Sequence, residues 1–360
     1  MQQDDRGGLI IWIQNQPGPA RVLIFCVFVT GVVLTMFSAT AFLFWLNLRG
    51  LPRVDPVALP DTGIRIRELV RFEDEKAYPG ALAAYADTFY VGSYATGAIW
   101  RVDAEGNAHE IPQTRDQIGS VAGLDVDRDG ALYVLDRLDP LLGGGATIWR
   151  IQDETLEEIL QLPANGENGI AIPNDLAVDA DHNLYLVDAQ LKRVLRLVPG
   201  RANAEIWWEA SISTVAAVPA GLAVHPQNQS LLITDTGRQW IYEVPLDSAD
   251  PGAESQILYQ DRAERNLPGF NGITVAPDGM IYVAALSLNE VGQLDPDTNQ
   301  ITYLAGAFRG SSDVAYDTVN QRVLVNNWDQ RWLLPVKFVF LSFQIEPHLP
   351  FSVDVIEFEN

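Results

Sequence analysis

One phrase recurs through this chain and limits what it can fold into. In PNDLAVDADHNLYLVDAQLKRVLRLV, residues 173–198, an apolar run (176–178) meets an Asp/Asn turn (179–183), a second run (184–187), a polar break and a third run (194–198). Short apolar runs bounded by turn residues read as strands. Five more segments, opening at Tyr78, Val121, Pro219, Phe270 and Ser311, repeat the phrase. Matched starts at Pro79, Ala122, Asn174, Ala220, Asn271 and Ser312 lie about 40 to 50 residues apart, the period of a four-stranded propeller blade. A more amphipathic fourth strand follows five of them, at 109–112, 156–162, 204–208, 255–259 and 301–304. One such sheet cannot bury both of its faces alone, so six are expected to pack radially around an axis. The predicted class is all-β, a six-bladed β-propeller.

The two ends of the repeat region point to one closure. Residues 63–72 (GIRIRELVRF) alternate like the outer strands elsewhere, and 351–358 (FSVDVIEF) resemble a third strand with no fourth behind them. The N-terminal strand is therefore expected to complete the last blade, which also removes exposed strand edges. Between Trp328 and Pro350 lies an apolar insertion, WDQRWLLPVKFVFLSFQIEPHLP. Its residues 337–345 offer a competing third strand, with 351–358 as the fourth and no N-terminal closure, because short apolar runs are ambiguous. If the insertion is not a strand, Trp332, Leu333, Phe338, Phe340 and Phe343 form a hydrophobic surface suited to a protein partner. Joining a second strand to a third, it would sit on the face where the inner strands begin.

Ahead of the repeats, residues 22–48 carry no charge, and about 20 apolar residues suffice to cross the hydrocarbon core. The expectation is one transmembrane α-helix before the propeller. A cleaved secretory signal competes, since Ala39-Thr40-Ala41 resembles a cleavage site, but the apolar run continues past it through 42–46. The expected organisation is an N-terminal segment, 1–21, with an interfacial patch at 9–13; the helix, 22–48; a proline-containing linker, 49–62; and the propeller, 63–360. Arg6 and Arg21 precede the helix and Arg49 and Arg53 follow it, so flanking charge leaves orientation near a tie. A single anchor ahead of a large, acidic, thiol-free domain suggests a single-pass membrane protein with its propeller outside the cytoplasm.

The formal charge of -23 argues against nucleic acid as a partner, because a phosphate backbone needs Lys and Arg arrayed against it. Cys26, the only cysteine, lies in the apolar run, which excludes disulfides within the chain and cysteine-ligated zinc.

The phrases PNDLAVD, PAGLAVH and FNGITVAPDGMIYVAA resemble those of the six-bladed superfamily of gluconolactonases, senescence-marker lactonases, paraoxonases and strictosidine-synthase-like proteins, with NHL-type propellers close in pattern. The likeness covers about 63–360 and implies the fold more firmly than an activity. In the lactonase branch it implies a channel calcium held at the openings of inner strands by a Glu, two Asn and an Asp. Asn174 matches one Asn and Asn271 stands where the Asp would be, so these two are the candidate metal and ligand-binding residues. Pro79 takes the Glu position and Ala220 the other Asn position, leaving two neutral amides for an ion that prefers carboxylates.

Other motifs favour plain roles. Asp125 to Gly130 (DVDRDG) imitates the opening of an EF-hand loop, but Arg137 replaces the closing Glu and the flanks are strands, so it reads as a hairpin turn. Asp136, Asp188, Asp235 and Asn327 end second strands in register, and repetition favours a structural role. His109, His182, His225 and His348 read as solvated surface residues, with no counterpart of a catalytic His pair.

Two functions remain open. The first is a membrane-anchored binding or scaffold domain, an accessory subunit of a membrane complex. The second is a calcium-dependent lactone or ester hydrolase, in which the ion polarises the carbonyl and Asp175 or Asp313 activates water.

Overall fold

The computed structural model describes residues 16–48, 55–138, 144–211, 217–261, 268–328 and 349–359, the side chains of 43–48 excepted. Each repeat phrase opens an antiparallel sheet, and in the first five blades the amphipathic run is the fourth strand. In blade 3 these are Pro173–Val178, Leu184–Asp188, Arg193–Leu197 and Glu205–Glu209, from the axis outward. The inner strands of the other blades are Pro79–Tyr85, Val121–Val126, Pro219–His225, Phe270–Val275 and Val314–Asp317.

Closure follows the N-terminal route. Ser352–Phe358 pairs on one side with Arg322–Asn327 and on the other with Ile64–Arg71, so blade 6 takes its outer strand from the start of the chain. The competing arrangement, with 351–358 as a fourth strand, is thereby corrected: Ser352–Phe358 is the third. Val57 and Ala58, within the proline-containing segment, pair with Gly306 and Ala305 and give blade 5 a fifth strand. The insertion residues Trp332, Leu333, Phe338, Phe340 and Phe343 lie outside the described residues.

Hydrophobic burial is concentrated between blades. Leu82, Trp100, Leu324 and Phe351 pack where blade 6 meets blade 1, and Ile99, Leu124 and Val134 where blade 1 meets blade 2. Four further clusters fill the remaining interfaces. Each sheet thus buries both faces against neighbours, which is why one repeat alone cannot fold.

Polar side chains finish what the strands leave open. Asp127 Oδ1 accepts the N–H groups of Asp129 and Ala131 at 2.9 Å each, and Asp179 Oδ1 those of Asp181 and Asn183 at the same distance. These bonds make DVDRDG the hairpin turn that its spacing implied. At the far ends of second strands, Asp188 accepts from Ala171, Ile172, Gln190 and Leu191, while Asp136 accepts from Gly119 and Ser120. Buried main-chain N–H groups in these loops would otherwise go unpaired.

Taken by itself, the N-terminal unit contains the helix Gly18–Leu48. Its part Gly18–Phe42 is long and apolar enough to cross a membrane, a property that signal sequences share.

Candidate channel site

The innermost strand of a blade has one edge without a strand partner, and its N–H groups face the axis. Acceptors must come from elsewhere. Asp175 Oδ2 accepts the N–H of Leu222 in blade 4 at 2.8 Å, while its Oδ1 accepts from Leu176. Asp313 Oδ2 accepts from Leu82 in blade 1 at 2.7 Å and Oδ1 from Val314. Asp125 Oδ2 accepts from Val178 in blade 3 at 2.8 Å and Oδ1 from Val126. Three carboxylates therefore tie neighbouring inner strands together around the axis.

Glycine takes the place of Asp175 and Asp313 in blades 2, 4 and 5, and close approach explains why. A methyl group on Gly272 would lie 2.5 Å from Cα of Asp313, and one on Gly221 would lie 2.2 Å from the carbonyl oxygen of Asn271.

These residues divide the channel. Above them, where inner strands begin, a space of about 50 Å³ is bordered by Tyr94, Asn174, Asn271, Ser312 and Trp328. Below them a space of about 630 Å³ is lined by all six inner strands. Asp175 and Asp313 border both, so they stand at the division. Although half-buried by area, each is packed deep among protein atoms. Burial pushes Asp125 up to about 6 and Asp313 up to about 7. Asp175 is raised well above the carboxylate range, by burial first and then by the charge of Asp313.

The structure brings together all four channel residues singled out from the sequence. Asn174 Nδ2 donates to the carbonyl of Ala220 at 3.0 Å and to Asn271 Oδ1 at 3.4 Å, beside Asp175 and Asp313. These positions do not fit a calcium ion. The match of Pro79 is corrected by the strand register, in which Pro79 pairs with Ser93 as Pro173 does with Asp188, so Gly80 stands level with Asn174. Gly80 and Ala220 bring no side-chain oxygen, and Asn174 turns its NH₂ group to its neighbours. A separate acidic group, Asp127, Asp129 and His182, lies on the turns of blades 2 and 3 with its potential ligand atoms within 4.8 Å of one another. His182 Nδ1 is 3.1 Å from Asp127 Oδ2 and Nε2 is 3.3 Å from Asp129 Oδ2.

Two histidine readings are corrected. His225 is 2% exposed, because it takes the turn-closing position held by Asp127 and Asp179 in other blades, and its Nδ1 accepts from the N–H of Asn228. Burial lowers its pKa. His182 is half-buried between the two aspartates. His109 is exposed, and His348 lies outside the described residues.

Asp125 was legible only in register. Aligning the inner strands places it with Ala83, Ala177, Ala223, Thr274 and Ala315, so blade 2 alone puts an acid there.

Residues 82–317 match the SMP-30/Gluconolactonase/LRE-like region. The chain belongs to that family. Solved structures agree on the six-bladed family fold. A gluconolactonase from Xanthomonas campestris, 16% identical, aligns with a TM-score of 0.53 over 86% of this chain and 99% of its own. A luciferin-regenerating enzyme, 14% identical, gives 0.57 over 82% and 95%, and a streptogramin B lyase, also 14% identical, gives 0.54 over 82% and 97%. At such identities the likeness is one of fold. No curated protein matches the chain in sequence.

Proposed function

We propose that this family member is a membrane-tethered propeller that works by binding, as an accessory or scaffold subunit of a membrane complex, rather than as a calcium-dependent hydrolase. The observation that carries this reading is the state of the four calcium-ligand positions: Gly80 and Ala220 have no side-chain oxygen, and the Asn174 amide is engaged with Ala220 and Asn271. The apolar stretch Gly18–Phe42 serves as the anchor, with the propeller outside the cytoplasm. Trp332, Leu333, Phe338, Phe340 and Phe343 of the insertion supply the partner surface. The test is purification from native membranes, with co-purifying proteins and bound metal both quantified. Stoichiometric partners without bound calcium are expected, whereas one tightly held calcium per chain and no partner overturns the reading.

The paired carboxyls favour one second reading, a hydrolase that needs no metal. Perturbed carboxyls facing a cavity are a recognised mark of acid–base chemistry. Here one member of the Asp175–Asp313 pair would take a proton from water as its oxygen bonds to a lactone carbonyl. The other would protonate the departing ring oxygen. Lactone hydrolysis in the presence of chelator, lost in Asp313→Asn, would establish this reading in place of the first.

A further inference from the structure

We propose that the lower half of the channel binds a linear aliphatic amine with at least two ammonium groups, entered where the inner strands end. This rests on the binding reading above and names the ligand class.

Size comes first. A space of about 630 Å³ lies within the range of about 300 to 1,000 Å³ usual for small-molecule sites. A lone hard cation would need a shell of six to eight oxygens within a few Å, and here methyl-bearing walls intervene. Val126, Val224 and Val275, each half-buried, line those walls and suit a methylene chain.

Charge sets the ends. Six aspartates are among the lining residues, with no lysine or arginine among the described ones, and the single histidine, His225, is held toward its neutral form by burial. The acids occupy two levels. Asp175 and Asp313 close the inner end, with Asp125 two positions further along its strand, while Asp181 and Asp247 are exposed at the outer rim. From Asp175 to Val178, the end of its strand, the rise is about 10 Å at roughly 3.3 Å per residue, enough for several methylenes between two charged heads.

The inner carboxylates can serve a ligand while serving the fold. An ionised carboxylate offers about four lone-pair sites, and each of these three is engaged by two peptide N–H groups. An ammonium head can take remaining sites and relieve the mutual repulsion of Asp175 and Asp313. Tyr316 on the wall adds an aromatic face for a cation.

Calorimetry on the full-length protein in detergent tests this, with spermidine as probe, calcium chloride as competitor and 1,4-butanediol as neutral control. The expected result is one spermidine site that persists at about 0.15 M salt, which screens surface charge beyond about 8 Å, and no heat from the diol. Affinity should fall at least about tenfold on going from about pH 7.5 to about pH 5.5, as the inner carboxyls take up protons. Asp125→Asn should weaken binding about tenfold or more, but its NH₂ would face a peptide N–H and can compromise folding. The exposed pair Asp181→Asn with Asp247→Asn is therefore the second variant, expected to weaken spermidine several-fold without loss of thermal stability. Multiple weak sites abolished by salt, or spermidine displaced stoichiometrically by calcium, would overturn the proposal, as would equal binding in the double variant. Absence of spermidine binding with stoichiometric partners still present would remove this inference and leave the binding reading standing; absence of both would remove both.

Discussion

Asp188 and Asp175 lie on neighbouring strands of blade 3 and meet different surroundings. Asp188 is fully buried, and four N–H groups of the loops beside it converge on its two oxygens. Asp175 spends one oxygen on its own strand and the other on blade 4, and it faces the lumen. The same functional group is sealed architecture in one place and an inter-blade tie with spare capacity in the other. What separates them is where the donors come from and whether space remains beside the acceptor.

The sharpest break of that contrast is Asp188→Ala. Four N–H groups would lose their acceptor, and at about 1–3 kcal/mol for a buried unsatisfied group the variant should lose at least about 3 kcal/mol. Denaturant unfolding of the anchor-free propeller measures it, and a loss under about 1 kcal/mol would place Asp188 with the dispensable carboxylates.

Next in size is Gly272→Ala, which pushes a methyl group into the backbone of Asp313. Overpacking of this kind costs about 1–3 kcal/mol, and the shift of Asp313 should also lower its apparent pKa as water reaches it. Unfolding midpoints, with carboxyl titration followed by NMR, would report both effects.

Acidity distinguishes the axial set. Asp125 and Asp313 have folded pKa values above those of the unfolded chain, so the native state binds more protons there, and their contribution to stability falls as pH rises from about 4 to about 7. Urea midpoints should therefore be higher near pH 5 than near pH 7.5. Relief of the overall charge of -23 acts in the same direction, but high salt screens that part. A pH dependence that vanishes in about 0.5 M salt, where the screening length is only a few Å, would assign it to the surface.

The smallest effect belongs to Asn174→Ala. It removes hydrogen bonds to Ala220 and Asn271, worth about 1 kcal/mol, and should leave the thermal response to calcium unchanged. A calcium-induced stabilisation that disappears with Asn174 would restore the metal reading.

Much of this molecule could be read in advance because its signals are periodic. The recurring phrase marked the inner strands, and the alternation around Ile64–Arg71 marked an outer strand in search of a sheet. Asp175 and Asp313 stood out as carboxylates directly after the matched strand openings Asn174 and Ser312. Asp125 was hidden by its neighbours, since Asp127 and Asp129 made it look like part of a loop, and only strand register turns it toward the axis. His225 was misjudged for a related reason: its role in closing a turn depends on packing, which composition does not reveal.

Blade 6 has a consequence for the order of events during synthesis. Arg67 on its outer strand pairs with Glu357 on its third strand across a separation of 290 residues. At about 5 to 20 residues per second, roughly 15 to 60 s separate the appearance of the two partners. For that interval Ile64–Arg71 has no sheet to join, and five blades can form as an open arc before the ring is drawn shut. A ribosome stalled before Ser352 should therefore display a protease-sensitive N-terminal strand beside protected middle blades. The arrival of Ser352–Phe358 turns a row of sheets into a ring.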